Sequence, residues 1–213
     1  RQGDLRGNLA EAVANAAPVI SSQASLVLTV NFWRSAWKYR LRGYRYCYWD
    51  TGTILSNLLA TASAQGLPAR VICGFLDNQV NDLLGLDGDK EAAVCVVPLG
   101  GQGALTPARP ARPLASLAAY AVDDVQDEID YPEIREIHQA TSFYVKEEVD
   151  AWGRAGDPTP PALAQTGRDI RGLESAGGPT AGGPLGKTIL QRGSTRRFAR
   201  RAIPFSSFSK VLA

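Results

Sequence analysis

The chain has 213 residues, 45% apolar and 21% charged, enough to bury a core in one large domain or in one domain with a tail. Its formal charge of +2 gives no general case for nucleic acid as a partner, and no apolar run approaches the roughly 20 residues of a membrane span. The single histidine, His138, argues against His-based metal centres and Ser-His-Asp chemistry, so redox chemistry would fall to a bound cofactor.

Residues 4–16 place Leu5, Leu9 and Val13 on one face behind Asp4, predicting a capped helix. Ser25–Val30 is β-branched and apolar, a short buried strand. Next come eight aromatic rings between Phe32 and Trp49, interleaved with five cations: Arg34, Lys38, Arg40, Arg42 and Arg45. Cations on aromatic faces grip flat anionic ligands, and the same composition also fits an Arg-rich loop over an aromatic mini-core. Asp50-Thr51 predicts the cap of a helix striped by Ile54, Leu55, Leu58, Leu59 and Ala62 and closed by Gly66.

Arg70–Phe75 predicts a second strand, 78–85 a short helix and Ala92–Leu99 a third strand. The three strands are expected in one mostly antiparallel sheet, with the 53–64 helix packed on it through nearly fully buried Leu58 and Leu59. Alternating helix and strand signals argue for α/β or α+β layering.

After Gly100 the texture changes. Residues 101–113 form a Gly/Pro/Ala-rich loop, and 114–152 a partly helical connector with an acidic opening before Tyr131-Pro132. Residues 153–186 are a Gly/Pro-rich linker, expected to lack regular structure. Within it, Ala181–Thr188 imitates a phosphate loop, but that loop must follow a buried strand, which is missing here. His138 is expected on a helix surface or in a satisfied core position. Cys47, Cys73 and Cys95 show no C-x-x-C spacing, which fits reduced thiols and a cytoplasmic home. A chain that opens on Arg1 and contains no methionine is expected to be a piece of a longer polypeptide.

The stretch Trp37-Lys38-Tyr39-Arg40-Leu41-Arg42-Gly43-Tyr44-Arg45-Tyr46, followed by Asp50-Thr51-Gly52, resembles the signature of nitroreductase-type flavoproteins of the azoline-dehydrogenase (SagB-type) branch. The likeness continues through Gly66-Leu67, Val71–Phe75, Val80–Asp87 and Val96–Gly100, in the order of the C-terminal half of such a domain. Arg192-Gly193-Ser194-Thr195-Arg196-Arg197-Phe198, then Ile203-Pro204, resembles the opening of a nitroreductase domain. Finding the opening after the C-terminal half implies a tandem arrangement. Residues 1–113 would be the C-terminal half of one repeat and 187–213 the start of the next. The implied fold is α+β, a nitroreductase-like sheet flanked by helices, present as a partial domain.

The resemblance implies an FMN-dependent oxidoreductase that passes hydride through flavin N5, closest to azoline dehydrogenases. It would act on a small-molecule or peptide substrate, with FMN at the interface of an intramolecular pseudo-dimer or a homodimer. A general nitro or quinone reductase using NAD(P)H is the alternative enzyme, and a flavin-poor, non-catalytic scaffold the alternative of another class.

Lys38 and Tyr39 match the catalytic pair of that branch, where a desolvated lysine among cations can act as base; a solvated Lys38 is the plain reading. Cys73-Gly74 stands where relatives set an acidic residue and a glycine against the flavin edge, and Gly allows close approach to a flat ring. Cys73 departs from that pattern and also reads as a buried strand thiol. Arg192, Ser194 and Arg196 alternate on an extended segment and converge on one side, which suits the FMN phosphate; a basic tail fits the same residues. Arg109 and Arg112 lie where relatives place another phosphate-binding cation.

Overall fold

In a computed structural model of the chain, Asp4 accepts the backbone N–H of Arg6 at 3.1 Å and opens helix α1 (Arg6–Ala12). The structure describes residues 3–14, 16–101, 107–115, 117, 129–154, 171–174 and 183–212. It divides into two units, Arg1–Asp157 and Pro158–Ala213.

α1 stops four residues short of the expected end because the chain beyond it has a better partner. Val13 is extended and fully buried, and bridges Phe75. Ala14 donates to the Gly74 carbonyl at 2.8 Å, and Leu76 to the Ala12 carbonyl at 2.7 Å. A β-branched residue gives up a helical turn for cross-chain pairing of this kind.

Helix α2 (Ala16–Ile20) leads into strand β1 (Ala24–Asn31), which pairs antiparallel with β2 (Glu91–Leu99). The register runs from Ala24↔Leu99 to Asn31↔Glu91, with a shift between Leu28 and Thr29. The expected second strand, 70–75, is not formed. That segment makes isolated bridges, Ala69↔Leu99 and Ile72↔Val96, the latter with reciprocal hydrogen bonds of 2.8 and 2.9 Å. One register step away it meets Pro98, which has no N–H to return, so a single 3.4 Å bond from Arg70 remains. Beyond Ile72, residues 74–76 turn their hydrogen bonds to 12–14 instead of the sheet.

Helix α3 (Trp33–Tyr39), a 3₁₀ turn (Arg40–Arg42) and helix α4 (Gly43–Ala64) carry the aromatic–cationic run. The cap expected at Asp50-Thr51 is a mid-helix position. Thr51 donates to the Cys47 carbonyl one turn back at 2.7 Å, which frees no helix end. α4 begins at Gly43, where any Cβ would stand 2.8 Å from the Ala36 backbone, so the glycine lets α3 and α4 meet. Gly66 (φ +66°) closes the helix as expected. Leu58 is only half-buried and Leu59 is 36% exposed, against the expectation for both. The residues α4 buries are Gly43, Cys47, Thr51 and Ala62, so its large apolar side chains lie off the face this chain covers.

Helix α5 (Asp77–Leu84) ends at Gly85 (φ +75°), and Asn81 Oδ1 accepts the buried Ala93 N–H at 2.9 Å, tying α5 to β2. Helices α6 (Pro132–Ala140) and α7 (Lys146–Arg154) belong to the first unit. Val149 of α7 joins Leu9, Val13, Val19, Phe75, Val80 and Val96 in one core cluster; Ile134 of α6 joins Val30, Phe32, Ala36, Cys47 and Ala92 in another. In the second unit, helix α8 (Leu185–Gln191) is followed by exposed, irregular chain and helix α9 (Phe205–Leu212), with Arg171 3.8 Å above the Phe205 ring. Of the expected linker, 155–170 and 175–182 lie outside the described residues. Residues 171–174 have no regular structure, and its two edges are the end of α7 and the start of α8.

Candidate functional site

Lys38 and Tyr39 end α3, and the backbone turns sharply after them: Arg40 has φ +51°, a left-handed value rare for a side-chain-bearing residue. The turn stacks rings from α3 and α4. Tyr39 and Tyr46 centroids are 4.3 Å apart, and Tyr46 meets Trp49 edge-on at 5.1 Å. Lys38 lies 5.3 Å from the Tyr39 ring, Arg42 5.7 Å from Tyr46 and Arg45 5.8 Å from Trp49. Arg42 also donates to Tyr46 Oη at 3.2 Å. These cations are exposed, as is Trp37 at 60%. The chain therefore displays the array rather than burying it. The desolvation that a lysine base requires is not provided at Lys38 by the described residues.

The other face of α4 turns inward. Tyr44 Oη lies 2.9 Å from Tyr48 Oη, 3.3 Å from Thr141 Oγ1 and 3.5 Å from His138 Nδ1. Tyr48 is 39% exposed, and the partial desolvation of its phenol raises it above its ordinary value, with the bond from Tyr44 adding to the shift. Burial lowers His138, with Asp89 partly opposing. His138 takes the core position expected for it, with its ring 5.0 Å from Phe32.

Cys73 and Gly74 follow Ile72 into a cavity of about 530 Å³ lined also by Arg70, Asp150, Trp152 and Arg154. Cys73 is exposed, not the buried strand thiol its apolar neighbours suggest, because the segment bridges β2 only at single residues. Partial desolvation nonetheless raises its pKa, which disfavours a reactive thiolate. Gly74 is buried, and a Cβ added there would lie 2.8 Å from two atoms of the Trp152 indole. The glycine thus presents a backbone face that accepts a flat ring, and the ring seated on it is Trp152. Sequence reasoning missed this residue. Its signal was Val149 and Trp152 at i and i+3 in the otherwise polar Lys146–Arg154, an apolar stripe of two residues.

Arg109 and Arg112 are exposed and run beside the start of α1, where the Arg109 N–H reaches Asp4 at 3.4 Å and the Arg112 carbonyl accepts from Asn8 at 2.8 Å. Lys38, Tyr39, Arg109 and Arg112 are not among the residues lining the Gly74 cavity. Arg192, Ser194 and Arg196 belong to the second unit, all exposed on the irregular stretch after α8. No group of three or more His, Cys, Asp or Glu suited to a metal occurs among the described residues, and no described helix is long and apolar enough to cross a membrane.

A small antiparallel sheet flanked by helices, with a glycine face beside it and a Lys-Tyr pair at a helical corner, describes part of a nitroreductase-type α+β domain. Residues 5–101 match the Nitroreductase family. It is 36% identical over 63 residues to the microcin B17-processing protein McbC of Escherichia coli, which covers 30% of this chain and 23% of McbC. A Methanocaldococcus jannaschii protein named as a nitroreductase is 28% identical over 75 residues, or 35% of this chain and 36% of that one. A solved structure from Anabaena variabilis, also named as a nitroreductase, superposes with a TM-score of 0.52 at 31% identity. That match covers 68% of this chain and 30% of the other. The matched regions thus span between 23% and 36% of these relatives' lengths.

Proposed function

We propose that the chain is part of an FMN-dependent oxidoreductase, nearest in chemistry to azoline dehydrogenases and acting on a small-molecule or peptide substrate. The observation that carries this reading is the presence in one matched segment of the Lys38-Tyr39 pair and of a Gly74 backbone that accepts a flat ring, although the two do not line one cavity. When bound, FMN supplies a two-electron hydride carrier that none of this chain's side chains can replace. Gly74 would face the flavin ring. In the second unit, taken by itself, Arg192, Ser194 and Arg196 would bind an FMN phosphate through charge-assisted hydrogen bonds; Arg109 and Arg112 would be further cations of the first unit.

Lys38 would take the substrate proton and Tyr39 would orient it. Because Lys38 is exposed on this chain, a second repeat or a second copy would have to cover it and supply the desolvation. The tandem reading would supply a second repeat, with residues 187–213 as its opening. McbC, named for processing microcin B17, supports a peptide substrate.

The test is the flavin content of the full-length protein. Two FMN per tandem chain fit two active sites, and one fits a repeat that has lost its own. A colourless protein that binds no added FMN would end the enzyme reading in favour of a non-catalytic scaffold. The indole seated on Gly74 is the observation that favours this second reading.

A further inference from the structure

Trp152 sits on the last turn of α7, 52% exposed, with its six-membered ring laid against Gly74 and its centroid 6.1 Å from Phe143. The helix is anchored one turn earlier, not at the indole. Val149 is fully buried in the core, and Lys146 Nζ donates to the Val13 carbonyl at 2.9 Å. Gly153 follows, where an added Cβ would meet nothing within 4 Å, and as a glycine it leaves the helix at lower cost than another residue would. The cavity beside the indole, about 530 Å³, falls in the range of small-molecule sites, and Arg70 and Arg154 give it two cations.

We infer that Trp152 is a removable plug, an aromatic side chain that holds the Gly74 face and must swing away on the last turn of α7 before a planar ligand can lie there. The inference rests on the reading of Gly74 as the flavin-ring face. Ring and indole compete for one surface, so the flavin's apparent affinity is reduced by the fraction of molecules in which the indole is seated. Seating and release of the plug would then set how much flavin this repeat carries. The plug meets the ring and not the phosphate, so FMN and riboflavin should feel it equally.

The experiment titrates full-length wild type and Trp152→Ala with FMN and, separately, riboflavin. Trp152→Ala should bind both about ten-fold or more tightly, by the same factor. Unchanged affinity would overturn the plug while leaving the flavin reading intact, and weaker binding would make Trp152 a stacking wall instead. If neither protein binds either ligand, the flavin reading itself fails, and the plug with it. A second measurement avoids dependence on the variant's folding. In 5-fluorotryptophan-labelled wild type, the fluorine resonance missing from Trp152→Phe should shift on FMN addition. A bound flavin that leaves this resonance unmoved would also overturn the inference.

Discussion

Tyr44 of α4 and His138 of α6, 94 positions apart, meet with Tyr44 Oη 3.5 Å from His138 Nδ1. The contact sits beside the second core cluster, whose Phe32 packs on both rings. It fixes the inward face of the helix whose outward face carries Arg45, Tyr46 and Trp49, just after Arg42 in the 3₁₀ turn.

This contact has a pH signature. Burial lowers the folded-state pKa of His138 below its ordinary 6.5, so the unfolded chain takes up a proton first as pH falls. Stability should be full above about 6.5 and decline through the window down to the lowered folded value, then flatten. Urea unfolding from pH 8 to pH 5 should show that slope in wild type and lose it in His138→Gln. An identical slope in the variant would assign the pH dependence to other groups.

Core membership of α7 gives a second test. Val149 is fully buried among α1, α5 and β2 side chains, whereas Leu59 of α4 is 36% exposed. Val149→Ala should cost about 1–3 kcal/mol through lost burial and a residual cavity, and Leu59→Ala within about 0.5 kcal/mol in this chain by itself. Denaturation midpoints of the two variants would decide the matter. Reversed magnitudes would mean that α4, not α7, closes the core.

The positions of β1, α5 and β2 were legible because each has a local cause, a β-branched run or a glycine stop, although β1 buries only Val30 and not the whole strand expected. The site was less legible because its determinants are tertiary. Asp50-Thr51 looks like a cap only until Gly43 is seen to pack on Ala36, which carries the helix seven residues further back. Arg70–Phe75 has strand composition, yet Pro98 on the facing chain withholds a donor. Leu58 and Leu59 satisfy the helical period of a buried face, but periodicity cannot say whether the covering surface lies within these 213 residues.

Lys38 and Tyr39 supply the catalytic prediction. In the full-length protein, Lys38→Ala should lower turnover of an azoline-containing peptide by about 10²- to 10⁴-fold, the usual worth of a positioned proton acceptor. Its flavin content should stay at the wild-type level, because the residue does not line the Gly74 cavity. Tyr39→Phe keeps the ring 4.3 Å from Tyr46 and removes only the hydroxyl, so it separates stacking from proton handling. Wild-type turnover in both variants would reduce the pair to part of an exposed cation–aromatic surface.

The second unit's arginines are tested by a ligand comparison. If Arg192 and Arg196 grip the FMN phosphate, losing one charge-assisted contact should weaken FMN binding by about 1.5–3 kcal/mol, roughly ten- to a hundred-fold. Riboflavin has no phosphate and should bind wild type and Arg196→Ala alike, whereas general damage to the fold would weaken both ligands together. If this exposed stretch becomes extended on binding, the alternation of Arg192, Ser194 and Arg196 predicts that Arg197→Ala, one residue out of phase, has the smaller effect. Equal FMN affinity in wild type and Arg196→Ala would make the segment a basic tail. The reading of residues 187–213 as the opening of a second repeat would then lose its chemical support, since phosphate binding is what distinguishes that motif from any other arginine-rich stretch.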